Sequence, residues 1–407
     1  MTKKDWTSRF AHRASEMKES DVRALFAVVN RVNDDGTPQV ISLAGGMPYV
    51  QALSTDVISE VQTRLLKEKG GVALQYGGGQ GNDALREQIT NIMAAEGIKA
   101  NPDNIVVTTG SQSGLDLLSK MFLDRGNVVL VESPSYVGAL GVFKSYQADI
   151  EHVYSDDEGI NPEALKQKIL ELEALGKRIK FLYLVPNFSN PTGYVLPLNR
   201  RKEIISICDT HDILIVEDDP YGLLYFDSPP PASMISLGDT ENIVYLGSFS
   251  KTFAPGFRTG WVHAPKDIKR VLVLANEAAV LSPSEFNQLT ISEYLKHTDW
   301  KKQLDDFRNL YRDRRDVMLS ALDDFLPDLK KTKTSGGFFT WLQLPENVNS
   351  KTLLPEAVEH GVAYTPGTAF YADGRGKNEL RLSFSYPQTE YIHKGIKLLS
   401  EVINSEK

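Results

Sequence analysis

Residues 104–124 read "NIVVTTGSQSGLDLLSKMFLD", and this stretch decides the fold. A short β-branched run ends in Thr-Gly, and a longer amphipathic run follows at once. A strand that reads as one continuous apolar run is buried on both faces, as in a parallel sheet covered by helices. The same unit recurs downstream. "VVLVES" (128–133) precedes a short helical stretch, and "KFLYLVP" (180–186) precedes "RRKEIISICDTHD" (200–212). Three more apolar runs follow, "ILIVEDD", "NIVYLGS" and "TGWVHAP". This alternation predicts an α/β large domain with a mostly parallel sheet flanked by helices. Ligands in such sheets collect at the carboxyl ends of the strands.

Outward from this core the texture changes. Residues 15–32 read as a helix with Val22, Leu25, Phe26 and Val29 on one face. Residues 74–97 form a glycine-rich loop running into an amphipathic helix. Beyond about residue 295 a long charged helix leads into "GGFFTWLQL", a helix near 351–360, "GVAYTPGTAF" and "ELRLSFSY". That pattern is α+β. The expected organisation is a large domain over 41–295 and a smaller one built from 1–40 and 296–407.

Composition bounds the function. The 407 residues carry 45 Lys+Arg against 53 Asp+Glu, a net charge of -8, which argues against nucleic acid as the main partner. Cys208 is the one cysteine, so no intrachain disulfide forms and a reducing, cytoplasmic setting is expected. The N-terminus lacks the apolar core of a secretory signal, and no run of about 18 apolar residues predicts a membrane span. The seven His form no ligand-spaced cluster, so no metal site is expected.

The loops after the predicted strands share a chemical theme. In "TTGSQSG" (108–114), Ser111 and Gln112 open a helix whose free N–H groups suit an anion, although a Gly-Ser turn is also an ordinary cap. In "VPNFSNPTG" (185–193), Asn190 is held extended by Pro191, and turn chemistry alone accounts for such a motif in isolation. In "EDDPYG" (217–222), carboxylates end a buried strand, which is costly unless a cation pairs with them. In "GSFSKTFAPGFRTGW" (247–261), Lys251 stands among small residues, where burial lowers an amine pKa and makes it nucleophilic. Arg258 adds a planar fork suited to a phosphate dianion. A P-loop is excluded because no glycine directly precedes Lys251. One cofactor, pyridoxal phosphate, meets all four demands with its aldehyde, ring nitrogen, phenolate oxygen and phosphate.

With these motifs in order, the chain resembles a fold-type I pyridoxal-phosphate-dependent aminotransferase of the class I/II group. It is similar to the multi-substrate branch that includes aminoadipate and kynurenine aminotransferases. "ISLAGGMP", "YGGGQGNDALR", "VESPSYVGAL", "TPGTAF" and "LRLSFSY" extend the resemblance over roughly residues 15–400. It implies that Lys251 holds the cofactor as an internal aldimine and then acts as general base. Asp218 would pair with the ring nitrogen. Asn190 and Tyr221 would bond the phenolic oxygen, and Tyr136 would stack on the ring. Ser111, Gln112, Ser248 and Arg258 would grip the phosphate, with Tyr76 reaching in from the second subunit of a homodimer.

The resemblance further implies that Arg381 binds the substrate carboxylate, with Asn190 and Gly46 on the substrate side. Arg23 matches an arginine that contacts acidic side chains, and the alternative is an exposed helix residue. The implied reaction is ping-pong transfer of an α-amino group to a 2-oxo acid, with 2-oxoglutarate and glutamate as one pair. "GGMPYVQALS" departs from the branch pattern in the loop that touches substrate. A β-lyase or decarboxylase on the same fold is the alternative reaction. A cofactor-sensing regulator is a further alternative, which the short stretch before "ISLAGG" disfavours.

Overall fold

The computed structural model describes residues 6–15, 38–238 and 241–405. The predicted helix over 15–32, and Arg23 with it, lies outside the described residues apart from Ser15, which ends a four-residue helix, His12–Ser15.

Seven strands form the central sheet: β1 (Ile105–Thr108), β2 (Val128–Val131), β3 (Asp149–His152), β4 (Ile179–Leu184), β5 (Leu214–Asp218), β6 (Ile243–Ser248) and β7 (Gly260–His263). Their order is β1-β7-β6-β5-β4-β2-β3. Alternate residues of each strand face opposite sides. Val128, Leu130, Leu182, Leu184, Ile215 and Ile243 pack with Leu165, Ile169, Ile204 and Cys208 of helices Pro162–Ala174 and Leu198–Thr210. Val129, Val131, Phe181, Tyr183, Val216 and Val244 face the other layer, with Leu115 and Leu118 of helix Ser111–Phe122 and Phe143 of helix Val137–Ser145. Each such aliphatic side chain contributes about 1.5–3 kcal/mol when fully buried. Both faces are therefore committed, which is why the strands read as unbroken apolar runs.

One strand runs against the rest. β7 pairs antiparallel with both β1 and β6, while every other pairing in the sheet is parallel. The sequence "NIVYLGS…TGWVHAP" already contains the reason. Only residues 249–259 join the two runs, too few for the helical crossover that parallel neighbours need. The chain must turn back, and its turn lies at the carboxyl end of β6. The edge strand β3, "DIEH", is polar and part-exposed and has no sequence signal comparable to its neighbours.

A second sheet holds β8 (Lys330–Lys331), β9 (Phe339–Gln343), β10 (Thr365–Pro366) and β11 (Glu379–Ser383) in antiparallel order β8-β9-β11-β10. Helix Trp300–Phe325, capped by Asp299 accepting from the Lys302 N–H, packs beside helix Thr389–Ser405. Residues 41–44 run alongside this unit. Ile41 and Ser42 pair with Val362 and Ala363, and the Ser383 N–H donates to the Leu43 carbonyl at 2.7 Å. Among the described residues no helix is long and apolar enough to cross a membrane.

Candidate active site

The carboxyl ends of β1, β2, β4, β5 and β6 open onto one cleft of about 1140 Å³. Gly46, Ser111, Gln112, Tyr136, Asn190, Asp218, Tyr221, Ser248, Lys251, Arg258 and Arg381 all line it. The structure thus brings together residues singled out from widely separated stretches of sequence. Tyr76 is not among them; it stands on the surface, 77% exposed.

Asp218 ends β5 with its side chain buried. Its Oδ2 accepts from the Tyr183 hydroxyl at 2.7 Å, while Oδ1 is buried with no partner among the described residues. Burial pushes this carboxyl up to about 7, against the Tyr183 hydrogen bond, and the neighbouring Asp219 charge adds to the rise. A buried carboxylate with one free oxygen is poised for a cationic donor. In the sequence Tyr183 reads only as part of an apolar strand. A phenol in a buried apolar run is the available signal, because a buried Tyr hydroxyl seeks a partner.

Lys251 lies in the return between β6 and β7, and its Nζ donates to the Gly46 carbonyl at 2.9 Å. Burial, followed by the charges of Arg381 and Arg258, lowers its pKa to about 8. An amine so placed is neutral far more often than a surface lysine. Arg258 closes the same return in the left-handed region, at φ 47°. Its guanidinium has only long contacts, 3.4 Å to Ser250 Oγ and 3.4 Å to the Thr109 carbonyl among them.

Beside it, Gly110 has φ +81°, and a Cβ there would lie 2.6 Å from Arg258 Nη2. Helix Ser111–Phe122 begins at this point with no side-chain cap on its first N–H groups. The Ser248 hydroxyl accepts from the Ser250 N–H at 3.0 Å. An open helix N-terminus, a loosely held guanidinium and a space that a methyl group would fill together fit a phosphate.

Tyr136 follows β2, and its hydroxyl donates to Gln112 Oε1 at 3.3 Å, while Gln112 Nε2 donates to the Gly138 carbonyl at 3.0 Å. Tyr221 is buried, and its ring meets Phe338 and Phe339 edge-on. Its pKa is raised, chiefly by burial, while a hydrogen bond from Asn190 works the other way.

Arg381, on β11, reaches across from the second sheet. It donates to Asn190 Oδ1 at 2.7 Å, to the Ala44 carbonyl at 2.6 Å and to Thr365 Oγ1 at 3.3 Å. Its guanidinium stacks 4.2 Å from the Phe339 ring centre and 4.9 Å from that of Phe370. Burial lowers its pKa to about 10, yet it stays charged at neutral pH, with Nε unpartnered among the described residues. Gly46 is required at its position, since a Cβ would sit 2.4 Å from the Phe339 ring. Ala44, Thr365, Phe339 and Phe370 are not singled out by the sequence, although "ISLAGGMP" and "TPGTAF" contain three of them, because they act on Arg381 through contacts between distant stretches of chain.

The donor set therefore fits pyridoxal phosphate at each end: a lone carboxylate oxygen for the ring nitrogen, a low-pKa amine for the aldehyde and a cradle for the phosphate. Comparison with known proteins agrees. The sequence pattern of aminotransferase class I and II matches residues 38–399. The chain is 38% identical to aromatic-amino-acid aminotransferase 1 of Thermococcus litoralis, over 99% of this chain and 95% of that protein. Among solved structures it resembles the Pyrococcus horikoshii kynurenine aminotransferase in complex with PMP. That match has a TM-score of 0.93 and 38% identity, covering 99% of this chain and 98% of that one. It likewise resembles α-aminoadipate aminotransferase from Thermus thermophilus complexed with N-(5'-phosphopyridoxyl)-L-leucine. Here the TM-score is 0.90 and the identity 34%, covering 99% of each chain. Fold, donor set and full-length similarity converge: the chain belongs to the aminotransferase class I and II family and is a fold-type I, pyridoxal-phosphate-dependent aminotransferase that moves the α-amino group of an amino acid to a 2-oxo acid.

Proposed function

We propose that Lys251 holds the cofactor and serves as the base of the reaction, and that Arg381 selects the substrate by its carboxylate. The observation that carries this reading is the pairing of a lysine near pKa 8 with a buried, half-partnered Asp218 in one cleft. Bound pyridoxal phosphate supplies an electron sink for the negative charge left when the substrate Cα loses its proton. Lys251 Nζ takes that proton, a step in which a positioned base contributes about 10²–10⁴-fold. Asp218 keeps a positive charge on the ring nitrogen. Asn190 and Tyr221 donate to the ring oxygen, Tyr136 covers the ring face, and Ser111, Gln112, Ser248 and Arg258 hold the phosphate. Arg381 orients the substrate carboxylate with its fork, and Gly46 leaves room beside it.

The amino group is exchanged in two half-reactions, with 2-oxoglutarate and glutamate as one pair. Relatives named for aromatic amino acids, kynurenine and aminoadipate support aromatic or long acidic substrates for the other. We further propose a homodimer in which Tyr76 reaches the phosphate of a second copy. Exposed Leu74, Tyr76, Val72 and Leu281 supply apolar surface for such contact. The single, buried Cys208 supports a cytoplasmic setting. The large domain over 41–295 and the small one over 1–40 and 296–407 stand as the proposed division.

The test is the absorbance of the bound cofactor as single L-amino acids are added. The expected result is a spectral change with one class of donor, reversed by a 2-oxo acid and absent in Lys251→Ala. Turnover by Lys251→Ala at a near wild-type rate would show the assignment to be wrong.

A further inference from the structure

Asn190 and Tyr221 come from loops about 30 residues apart, yet both line the cleft, with Asn190 hydrogen-bonded to the Tyr221 phenol. Behind them, away from the cleft, runs a buried polar chain. Arg201 is fully buried and all of its nitrogens are engaged. Nε donates to the Leu196 carbonyl at 2.8 Å, Nη1 to those of Pro231 and Ala232 at 3.2 Å, and Nη2 to that of Pro186 at 3.1 Å. Nη2 also donates to Asn187 Oδ1 at 2.6 Å.

The other end of the same amide, Asn187 Nδ2, donates to Asp219 Oδ2 at 2.5 Å. Asp219 Oδ1 accepts from the Gly222 N–H at 2.8 Å, and the Asp219 N–H is tied to the Leu246 carbonyl of β6 at 2.9 Å. Asn187 therefore spans the two loops. It stands three residues before Asn190, and its partner Asp219 stands two before Tyr221. None of the three side chains lines the cleft.

We propose that Arg201, Asn187 and Asp219 are positioning residues that fix the Asn190 amide and the Tyr221 phenol relative to each other. This rests on the reading that both donate to the ring oxygen of the cofactor. Asn187 is the joint of the chain, and it has few substitutes. One neutral side chain must accept from a guanidinium and donate to a carboxylate at the same time, which only an amide does with fixed geometry. Buried networks of this kind hold their shape because a half-satisfied member is costly.

The test compares three substitutions in the cofactor-loaded enzyme, reading the acid–base midpoint of the bound cofactor from its absorbance across pH. Donors on an oxygen anion favour the deprotonated form, so losing or misplacing them raises the midpoint. Tyr221→Phe removes one donor outright and calibrates the shift. Asn187→Ala leaves all charges in place and breaks only the joint; Asn187→Ser serves if the alanine variant does not fold. Ser233→Ala, which removes the Ser233 hydroxyl donor to Glu217 Oε1, controls for loss of a buried hydrogen bond elsewhere in this layer.

The expected result is a rise of the midpoint by about half a unit or more in Asn187→Ala, smaller than in Tyr221→Phe, with no shift in Ser233→Ala. KM for the amino donor rises several-fold alongside, because Asn190 also holds Arg381. If Tyr221→Phe moves the midpoint and neither Asn187 variant does, the positioning role is overturned while the site assignment stands. An equal shift in Ser233→Ala overturns it too. If Tyr221→Phe itself moves nothing, the site assignment fails and the positioning role with it.

Discussion

The Tyr183 hydroxyl donates to Asp218 Oδ2 at 2.7 Å from the neighbouring strand, leaving Oδ1 as the free atom of a buried carboxylate. Strand pairing brings them close: Tyr183 lies opposite Val216, two residues before Asp218. The hydrogen bond aims the carboxylate and lowers its pKa against the effect of burial. Tyr183→Phe removes it. Bonds to charged groups contribute about 1.5–3 kcal/mol, so the cofactor dissociation constant at pH 7 is expected to rise about 10- to 100-fold. Titration of the cofactor-free variant with pyridoxal phosphate measures this directly.

Asp218 also makes the cofactor-free protein sensitive to pH. Its folded pKa of about 7 lies above the ordinary 3.8, so between these values the folded state keeps a proton that the unfolded state has lost. Stability therefore falls as pH rises through that window, by up to about 4 kcal/mol from this group. Glu132, Glu217 and Asp219 are raised by burial as well and push the same way, so the comparison has to be made against Asp218→Asn. Urea unfolding of both proteins without cofactor at pH 5 and pH 8 is expected to show a smaller loss in the variant. An equal loss in the two would mean that Asp218 titrates normally.

Gly110 lies against the Arg258 guanidinium in the proposed phosphate cradle. Gly110→Ala places a Cβ 2.6 Å from Arg258 Nη2 and forces a side chain onto a φ of +81°. Strain of this kind costs about 1–3 kcal/mol. Because Arg258 must also move, cofactor affinity is expected to drop tenfold or more. A variant that binds cofactor as tightly as wild type would place the phosphate elsewhere.

Arg381→Lys keeps the charge and loses the fork. A single ammonium cannot stand at both the Nη1 position that serves Asn190 and the Nη2 position that serves Ala44 and Thr365, and it has no plane to set against Phe339 and Phe370. KM for the amino donor is expected to rise about 100-fold, the scale of a lost bidentate contact, while cofactor affinity changes little. Steady-state kinetics alongside cofactor titration separate the two effects.

What the sequence makes legible follows from chain-local physics. Buried parallel strands announce themselves as apolar runs, and the loops after them carry residues whose chemistry is unusual for a turn. Lys251, Asp218 and Arg258 stand out for that reason. Tyr183 does not, because its partner is 35 residues away and its strand reads as core. Phe339 and Thr365 reach Arg381 from strands of the second sheet and Phe370 from the short helical turn beside it, contacts that no local stretch of sequence shows. The direction of β7 is legible in principle, from the length of residues 249–259, but an apolar run carries no sign of its direction. Tyr76 stands on the surface, 77% exposed, and its proposed role rests on a second copy of the chain.

The reversed strand has a consequence for how this enzyme can change. Lys251 and Arg258 share one short return whose two ends are stitched into the same ladder, Ser248 opposite Gly260. Their separation is fixed by the backbone of a single hairpin. Arg381 and Phe339 stand on a different sheet altogether, with Phe370 in the short helical turn Gly367–Phe370 that follows one of its strands. The hairpin and Arg381 are coupled through charge and not through the backbone. A substitution in the second sheet that spares Arg381 leaves the hairpin's covalent frame in place, whereas one that removes the Arg381 charge also relieves part of the depression of the Lys251 pKa.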